Sequence, residues 1–188
     1  MTLNLPNRLT LGRALSVPLV VLFVWLGGLW RLIGLGLFAA AGITDFCDGK
    51  IARSRGLVTD FGKFLDPVAD KLLVICTMVT LCRLGEMSLC LCIIVIIREL
   101  CVDGLRMIAA TQGHVIAAAK LGKLKTTVQM VLLLWVLILG GGPIHSLLGE
   151  GLISFYGGIA AALSVLAGLL TLLSGAEYFV KNKNVLRT

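Results

Sequence analysis

Five acidic residues, Asp45, Asp48, Asp60, Asp66 and Asp70, crowd the stretch DFCDGKIARSRGLVTDFGKFLDPVAD of an otherwise apolar chain. Asp45 and Asp48 are three apart, and Asp66 and Asp70 four apart. On helices, each pair projects from one face across successive turns. Two helices joined antiparallel through a short turn near residues 55–59 set the pairs opposite one another, so four carboxylates converge. Such a cluster repels itself unless cations neutralise it, and an all-oxygen donor set selects hard divalent ions, Mg²⁺ or Mn²⁺, over zinc. Two ions balance the charge. Ion pairs about 3.5–4 Å apart serve phosphoryl transfer by neutralising the phosphate and stabilising the leaving oxygen.

The neighbouring residues suit that chemistry. Gly49 and Ala52 follow Asp48, and Gly62 shares a face with Asp66 four residues on, so two backbones can approach a diphosphate or a base closely, with Arg53 as a fixed cation. Glycine also serves tight helix packing in membranes, which accounts for any one of these positions but not for their placement beside four aspartates.

The elements that position these residues are membrane helices. The 188 residues are 58% hydrophobic and 14% charged, far from the balance of a soluble domain. Apolar runs give six spans: Leu15 to Leu29, Leu32 to Ile51, Val68 to Leu84, Ser88 to Ala110, Thr126 to Leu139 and Leu152 to Phe179. The expected fold is all-α: a polytopic membrane protein with six transmembrane helices and a short N-terminal juxtamembrane helix, in a single domain over residues 1–188. The first span lacks a small-residue cleavage site and is read as retained. A carboxylate at the centre of a lipid-facing helix costs about 2.5–3.5 kcal/mol, so the aspartates must line an aqueous, charge-compensated cavity.

Of the 17 Lys and Arg residues, all but Arg31 and Arg83 fall on one side of these spans, which puts both termini and the acidic cluster at the cytoplasmic face. The net charge of +7 then forms a skirt suited to anionic headgroups and phosphates, and a nucleic-acid role is excluded by the lack of exposed surface. The six cysteines form no CxxC pair and read as small hydrophobes. Gly140–Gly142 and Pro143 mark an outward turn, with His145 as a solvated loop residue.

Asp45, Asp48, Gly49, Ala52, Arg53, Gly62, Asp66 and Asp70 reproduce, without gap or substitution, the DxxDGxxARx8GxxxDxxxD signature, and by it the chain resembles the CDP-alcohol phosphotransferase family. The resemblance implies a six-helix, usually dimeric membrane enzyme with a cytoplasmic-side active site, two Mg²⁺ or Mn²⁺ ions on the four aspartates, and a CDP-linked donor. It also implies that Asp70 takes the proton from the acceptor hydroxyl as it attacks the lipid-side phosphorus. Asn7, Thr10 and Arg13 resemble the family's NxxTxxR segment, so the implied CDP contacts are Asn7, Thr10, Asp45, Gly49, Ala52, Arg53 and Gly62. Without that motif, the segment reads as an amphipathic turn capped by Asn7.

Arg98 lies midway along an apolar span, with Arg106 two turns on and Lys120, Lys123 and Lys125 leading into the next. Arg98, Arg106, Lys123 and Lys125 suit an anionic acceptor phosphate. The structural alternatives are pairing of Arg106 with Glu99 or Asp103, and snorkelling, which is the preferred reading of Lys120. The segments around Ile97–Leu100, Gly122–Met130, Leu65–Lys71 and Ser174–Tyr178 resemble the phosphatidylglycerophosphate synthases of the family. That likeness implies CDP-diacylglycerol as donor and sn-glycerol 3-phosphate as acceptor, the family as a whole implies a homodimer, and so compact a chain suits a bacterial inner membrane. The same chemistry on inositol phosphate, phosphatidylglycerol or serine is the alternative. A cation-coupled transporter is disfavoured because its carboxylates would lie near the midplane.

Overall fold

The computed structural model describes residues 5–55, 60–112, 116 and 120–183; within them, the side chains of residues 5–9, 45–55, 60–67, 70 and 146 lie outside the description. The described elements are all helices: α1 (Leu5–Leu26), α2 (Trp30–Arg55), α3 (Asp60–Arg83), α4 (Leu89–Thr111), α5 (Lys120–Leu139), the short α6 (Pro143–Leu147) and α7 (Glu150–Lys181). The all-α expectation is met. Among the described residues, α5 and α7 are long and apolar enough to cross a bilayer by length and composition, and Thr10–Leu26 and Trp30–Thr44 are shorter apolar stretches. The apolar run of α4 is interrupted by Arg98, Glu99, Asp103 and Arg106.

Two details depart from the sequence reading. The segment expected as a separate juxtamembrane helix is continuous with the first long helix, because nothing from Asn7 to Leu26 stops it: Gly12 is tolerated and Pro18 lies inside α1. Asn7 is therefore inside the helix and not its cap. The outward turn at Gly140–Pro143 also contains α6, which starts with Pro143 in its first turn, where a missing N–H is harmless.

The chain divides into two compact units. The first comprises residues up to Glu86 with Leu133–Leu148, and the second Met87–Leu132 with Gly149 onward. In the first unit, α1 packs against both α2 and α3. Its buried residues Thr10, Arg13, Val17, Val20 and Val24 recur every three or four positions, while Leu15, Leu19 and Leu22 point outward. Gly27 and Gly28 both take positive φ, 66° and 53°, which reverses the chain into α2.

One ion pair ties this unit together. Arg31, only 1% exposed, donates from Nη1 to Glu86 Oε1 at 2.7 Å and from Nη2 to Glu86 Oε2 at 2.5 Å. It also donates from Nε to the Leu137 carbonyl at 3.0 Å and from Nη2 to the Val136 carbonyl at 2.8 Å. The guanidinium thus joins the start of α2 to Glu86, three residues past the end of α3, and satisfies carbonyls in the last turn of α5, where helices leave acceptors open. The glycines after α5 make room for it: a Cβ on Gly140 would stand 2.6 Å from Glu86 Oε2 and 2.9 Å from Arg31 Nη2.

In the second unit, α4 and α7 pack together. Leu91 lies beside Gly168, and Arg98 beside Gly175, seven residues on along both helices, so the two run parallel. The surface of α7 is more apolar than its packed face. Phe155, Val165, Leu169, Leu172 and Leu173 are exposed, while Thr171 and Ser174 are fully buried with their hydroxyls on carbonyls of their own helix. That inversion suits a lipid solvent. Thirty-two residues make α7 about 48 Å long, so it outreaches the roughly 30 Å hydrocarbon core.

Replacing one partner of a buried ion pair leaves the other charge uncompensated, which costs about 3–5 kcal/mol. Glu86→Leu is therefore expected to lower the midpoint of unfolding in detergent clearly, and Arg31→Met, Glu86→Leu together to recover much of the loss; equal or additive losses would contradict the pairing.

Candidate active site

The backbone places the four aspartates of the motif on two helices joined at one end and tied at the other. Four residues, 56–59, outside the described set, link Arg55 of α2 to Asp60 of α3, which limits the separation of those ends to about 18 Å. At the opposite ends, Arg31 of α2 holds Glu86 just beyond α3. The helices are therefore antiparallel, as the motif's spacing requires. Asp45 lies ten residues before the end of α2 and Asp70 ten residues after the start of α3, while Asp48 and Asp66 stand seven and six residues from those ends. At 1.5 Å per residue, Asp45 and Asp70 each lie about 15 Å along their helix from the connected ends, and Asp48 and Asp66 about 10 Å. The side chains of these aspartates, and those of Asn7, Ala52 and Arg53, lie outside those described, as do Gly49 and Gly62 beyond their helical backbone.

Four carboxylates are an all-oxygen donor set, which fits hard divalent ions rather than zinc. Elsewhere among the described residues, no group of three His, Cys, Asp or Glu side chains gathers to hold a metal. Thr10 sits on the inward face of α1, 1% exposed, one turn before the buried Arg13.

The predicted acceptor residues lie in the second unit. Glu99 of α4, 9% exposed, takes Lys125 of α5 as an ion-pair partner through Oε1, and the same oxygen lies 3.3 Å from Arg98 Nη1. The structure thus brings Arg98 and Lys125 onto one carboxylate. Arg98 lies in a narrow slot between helices: its Cγ is 3.3 Å from where a Cβ would stand on Gly175 of α7, and its Nη2 is 3.5 Å from that position on Gly122 of α5. Arg98 Nε is buried without a hydrogen-bond partner among the described residues.

Arg106 stands apart from this group, eight residues or about 12 Å further along α4. Its described partner is neither Glu99 nor Asp103. Nε donates to the Tyr178 hydroxyl at 2.7 Å, and the guanidinium carbon lies 5.4 Å from the centre of the Tyr178 ring. Lys123 is exposed on α5, two residues from the buried Lys125 and so on a different face. Lys120 is exposed as well.

Sequence reasoning passed over Glu99 as the shared partner of two cations and Tyr178 as the partner of Arg106. The available signals were a carboxylate adjacent to a mid-helix arginine and a tyrosine closing an apolar helix, since a buried phenol usually needs a polar partner.

The chain belongs to the CDP-alcohol phosphatidyltransferase family, whose sequence profile matches residues 3–173. It is an enzyme of that kind. A Rickettsia typhi protein named CDP-diacylglycerol–glycerol-3-phosphate 3-phosphatidyltransferase is 39% identical over 177 residues, 94% of this chain and 95% of its own length. A Bacillus subtilis protein of the same name is 38% identical and is covered to 98%, as is this chain. A Mycobacterium tuberculosis protein named probable phosphatidylglycerophosphate synthase is 38% identical over 95% of this chain and 81% of its own length.

The shared carboxylate has a measurable consequence. Glu99→Leu takes the Glu99 carboxylate away from the buried Lys125 and is expected to lower stability by about 3–5 kcal/mol, whereas Glu99→Leu with Lys125→Met is expected to cost distinctly less. Unfolding in a denaturing-detergent titration reads the difference; strictly additive losses would mean the two residues do not act as a pair.

Proposed function

We propose that this protein transfers the phosphatidyl group of CDP-diacylglycerol to sn-glycerol 3-phosphate, giving phosphatidylglycerol phosphate and CMP. The observation that carries this reading is the unbroken eight-position motif on antiparallel α2 and α3, in a chain matched nearly end to end by relatives named for this reaction.

In this reading, Asp45, Asp48, Asp66 and Asp70 hold two divalent ions, Mg²⁺ or Mn²⁺. When bound, these neutralise the diphosphate and the leaving phosphate. Asn7 and Thr10 from α1, with Asp45, Gly49, Ala52, Arg53 and Gly62, line the cytidine diphosphate, and the small residues let it approach the backbone. Asp70 accepts the proton of the acceptor hydroxyl as its oxygen bonds to the lipid-side phosphorus. The bond from that phosphorus to the bridging oxygen breaks, and CMP departs. Arg98, Arg106, Lys123 and Lys125 bind the acceptor's phosphate, Arg98 and Lys125 from the group held by Glu99, and Arg106 and Lys123 from outside that group. A mid-helix arginine with a buried, unpartnered Nε supports a role in anion binding.

The wider reading is a single domain with six spans, formed by α1 to α5 and α7. It lies in a bacterial inner membrane with both termini and the active site on the cytoplasmic side, and it works as a homodimer. The basic residues flanking the α2–α3 and α4–α5 connections support that orientation.

The test is CMP release by the purified protein with CDP-diacylglycerol, Mg²⁺ and, in turn, glycerol 3-phosphate, inositol phosphate, serine and phosphatidylglycerol. Turnover is expected with glycerol 3-phosphate alone. It should be abolished by chelator and restored by Mg²⁺ or Mn²⁺, lost in Asp66→Asn, and reduced about 10²–10⁴-fold in Asp70→Asn as a general base would be. Turnover with another alcohol would keep the chemistry and change the acceptor; folded protein silent with all four would overturn the assignment.

A further inference from the structure

Tyr178 has no place in the chemistry above, yet it is the partner the structure gives to Arg106. It lies in the last turn of α7, 3% exposed, and packs with Val102 and Leu105 of α4. Arg106 on the neighbouring helix is exposed. A guanidinium is a planar fork: a hydrogen bond from Nε fixes both its plane and its rotation, and leaves the two terminal amines pointing the other way as a pair. The 2.7 Å bond from Arg106 Nε to the Tyr178 hydroxyl uses the one donor that a phosphate clamped by the terminal amines does not need. The phenol is itself immobile because its ring is in the core, and α7 is held parallel to α4 by the close contacts at Gly168 and Gly175.

We infer that Tyr178 is a positioning residue for acceptor binding: its hydroxyl pre-orients the Arg106 guanidinium so that the two terminal amines face the acceptor's phosphate as a ready fork. This rests on Arg106 being a ligand of that phosphate. An arginine on an exposed helix face otherwise samples many rotamers, and binding would have to freeze them. Tyr178 removes that freedom beforehand, and it does so without adding a charge that would compete for the guanidinium.

The test exploits an isosteric change. Tyr178→Phe keeps the ring, its packing on Val102 and Leu105 and its contact with the guanidinium, and removes only the hydroxyl. Steady-state rates of CMP release are measured for the wild type, Tyr178→Phe, Arg106→Gln and the double variant, varying glycerol 3-phosphate and CDP-diacylglycerol separately. Tyr178→Phe is expected to raise the KM for glycerol 3-phosphate roughly three- to tenfold, with kcat and the KM for CDP-diacylglycerol within about twofold of wild type. Arg106→Gln should raise the same KM further, and adding Tyr178→Phe to it should change nothing more.

An unchanged KM in Tyr178→Phe alongside a raised one in Arg106→Gln would overturn the positioning role and leave Arg106 as a ligand. So would multiplicative effects in the double variant. An unchanged KM in Arg106→Gln would overturn both the positioning role and the reading of Arg106 on which it rests.

Discussion

Four aspartates on two adjacent helices of an apolar chain form a charge problem before they form an active site. Each carboxylate resists removal from water, and each repels the other three, so the arrangement holds only where counter-cations and water reach it. The arrangement also demands register. A slide of α2 against α3 by one turn would displace the two levels of aspartates by about 5.4 Å, more than the separation of a working ion pair. Register is fixed far from the site, where Arg31 joins the start of α2 to Glu86 beyond α3 and reaches the last carbonyls of α5. The connection at residues 56–59 is short at the other end. A mismatch between α2 and α3 would have to break the buried pair or stretch that connection.

The two units handle buried charge in the same way. Arg31 is matched by Glu86 in the first, and Lys125 by Glu99 in the second. Neither pair is needed to raise stability above that of an apolar substitute; their value is that each specifies one arrangement, because a shifted helix would leave an uncompensated ion. Glu99 also tempers the basic group around Arg98. With its carboxylate between Arg98 and Lys125, the group retains a net positive charge, which in the proposed function serves the acceptor's phosphate. The exposed leucines of α7 and its buried Thr171 and Ser174 show the accompanying inversion, with apolar atoms facing outward and hydroxyls facing the packed interior.

The sequence was most legible where chemistry forces residue type and spacing together. The aspartate pairs announce two helices paired antiparallel, and the backbone of α2 and α3 follows that course. The helical character of every apolar run was readable for the same reason, since backbone groups in lipid must be satisfied within the segment. The start of α1 was not. A juxtamembrane turn and a continuous helix share one composition, and only tertiary packing of Thr10 and Arg13 on the inner face decides between them. Gly140–Gly142 read as a short outward turn, while their small size clears space for an ion pair formed by residues 55 positions apart. Partners such as Glu99 with Lys125 and Arg106 with Tyr178 are separated by 26 and 72 positions, and no local pattern encodes which cation meets which acceptor.

The central claim is that the aspartates of α2 and α3 hold two divalent ions side by side. Electron paramagnetic resonance of the purified protein titrated with Mn²⁺ in the presence of CDP-diacylglycerol tests it directly. Two Mn²⁺ per chain are expected, with the spectrum of a coupled pair about 3.5–4 Å apart and loss of that coupling in Asp66→Asn. Two uncoupled ions, a single ion per chain, or a coupled spectrum that survives Asp66→Asn would contradict it.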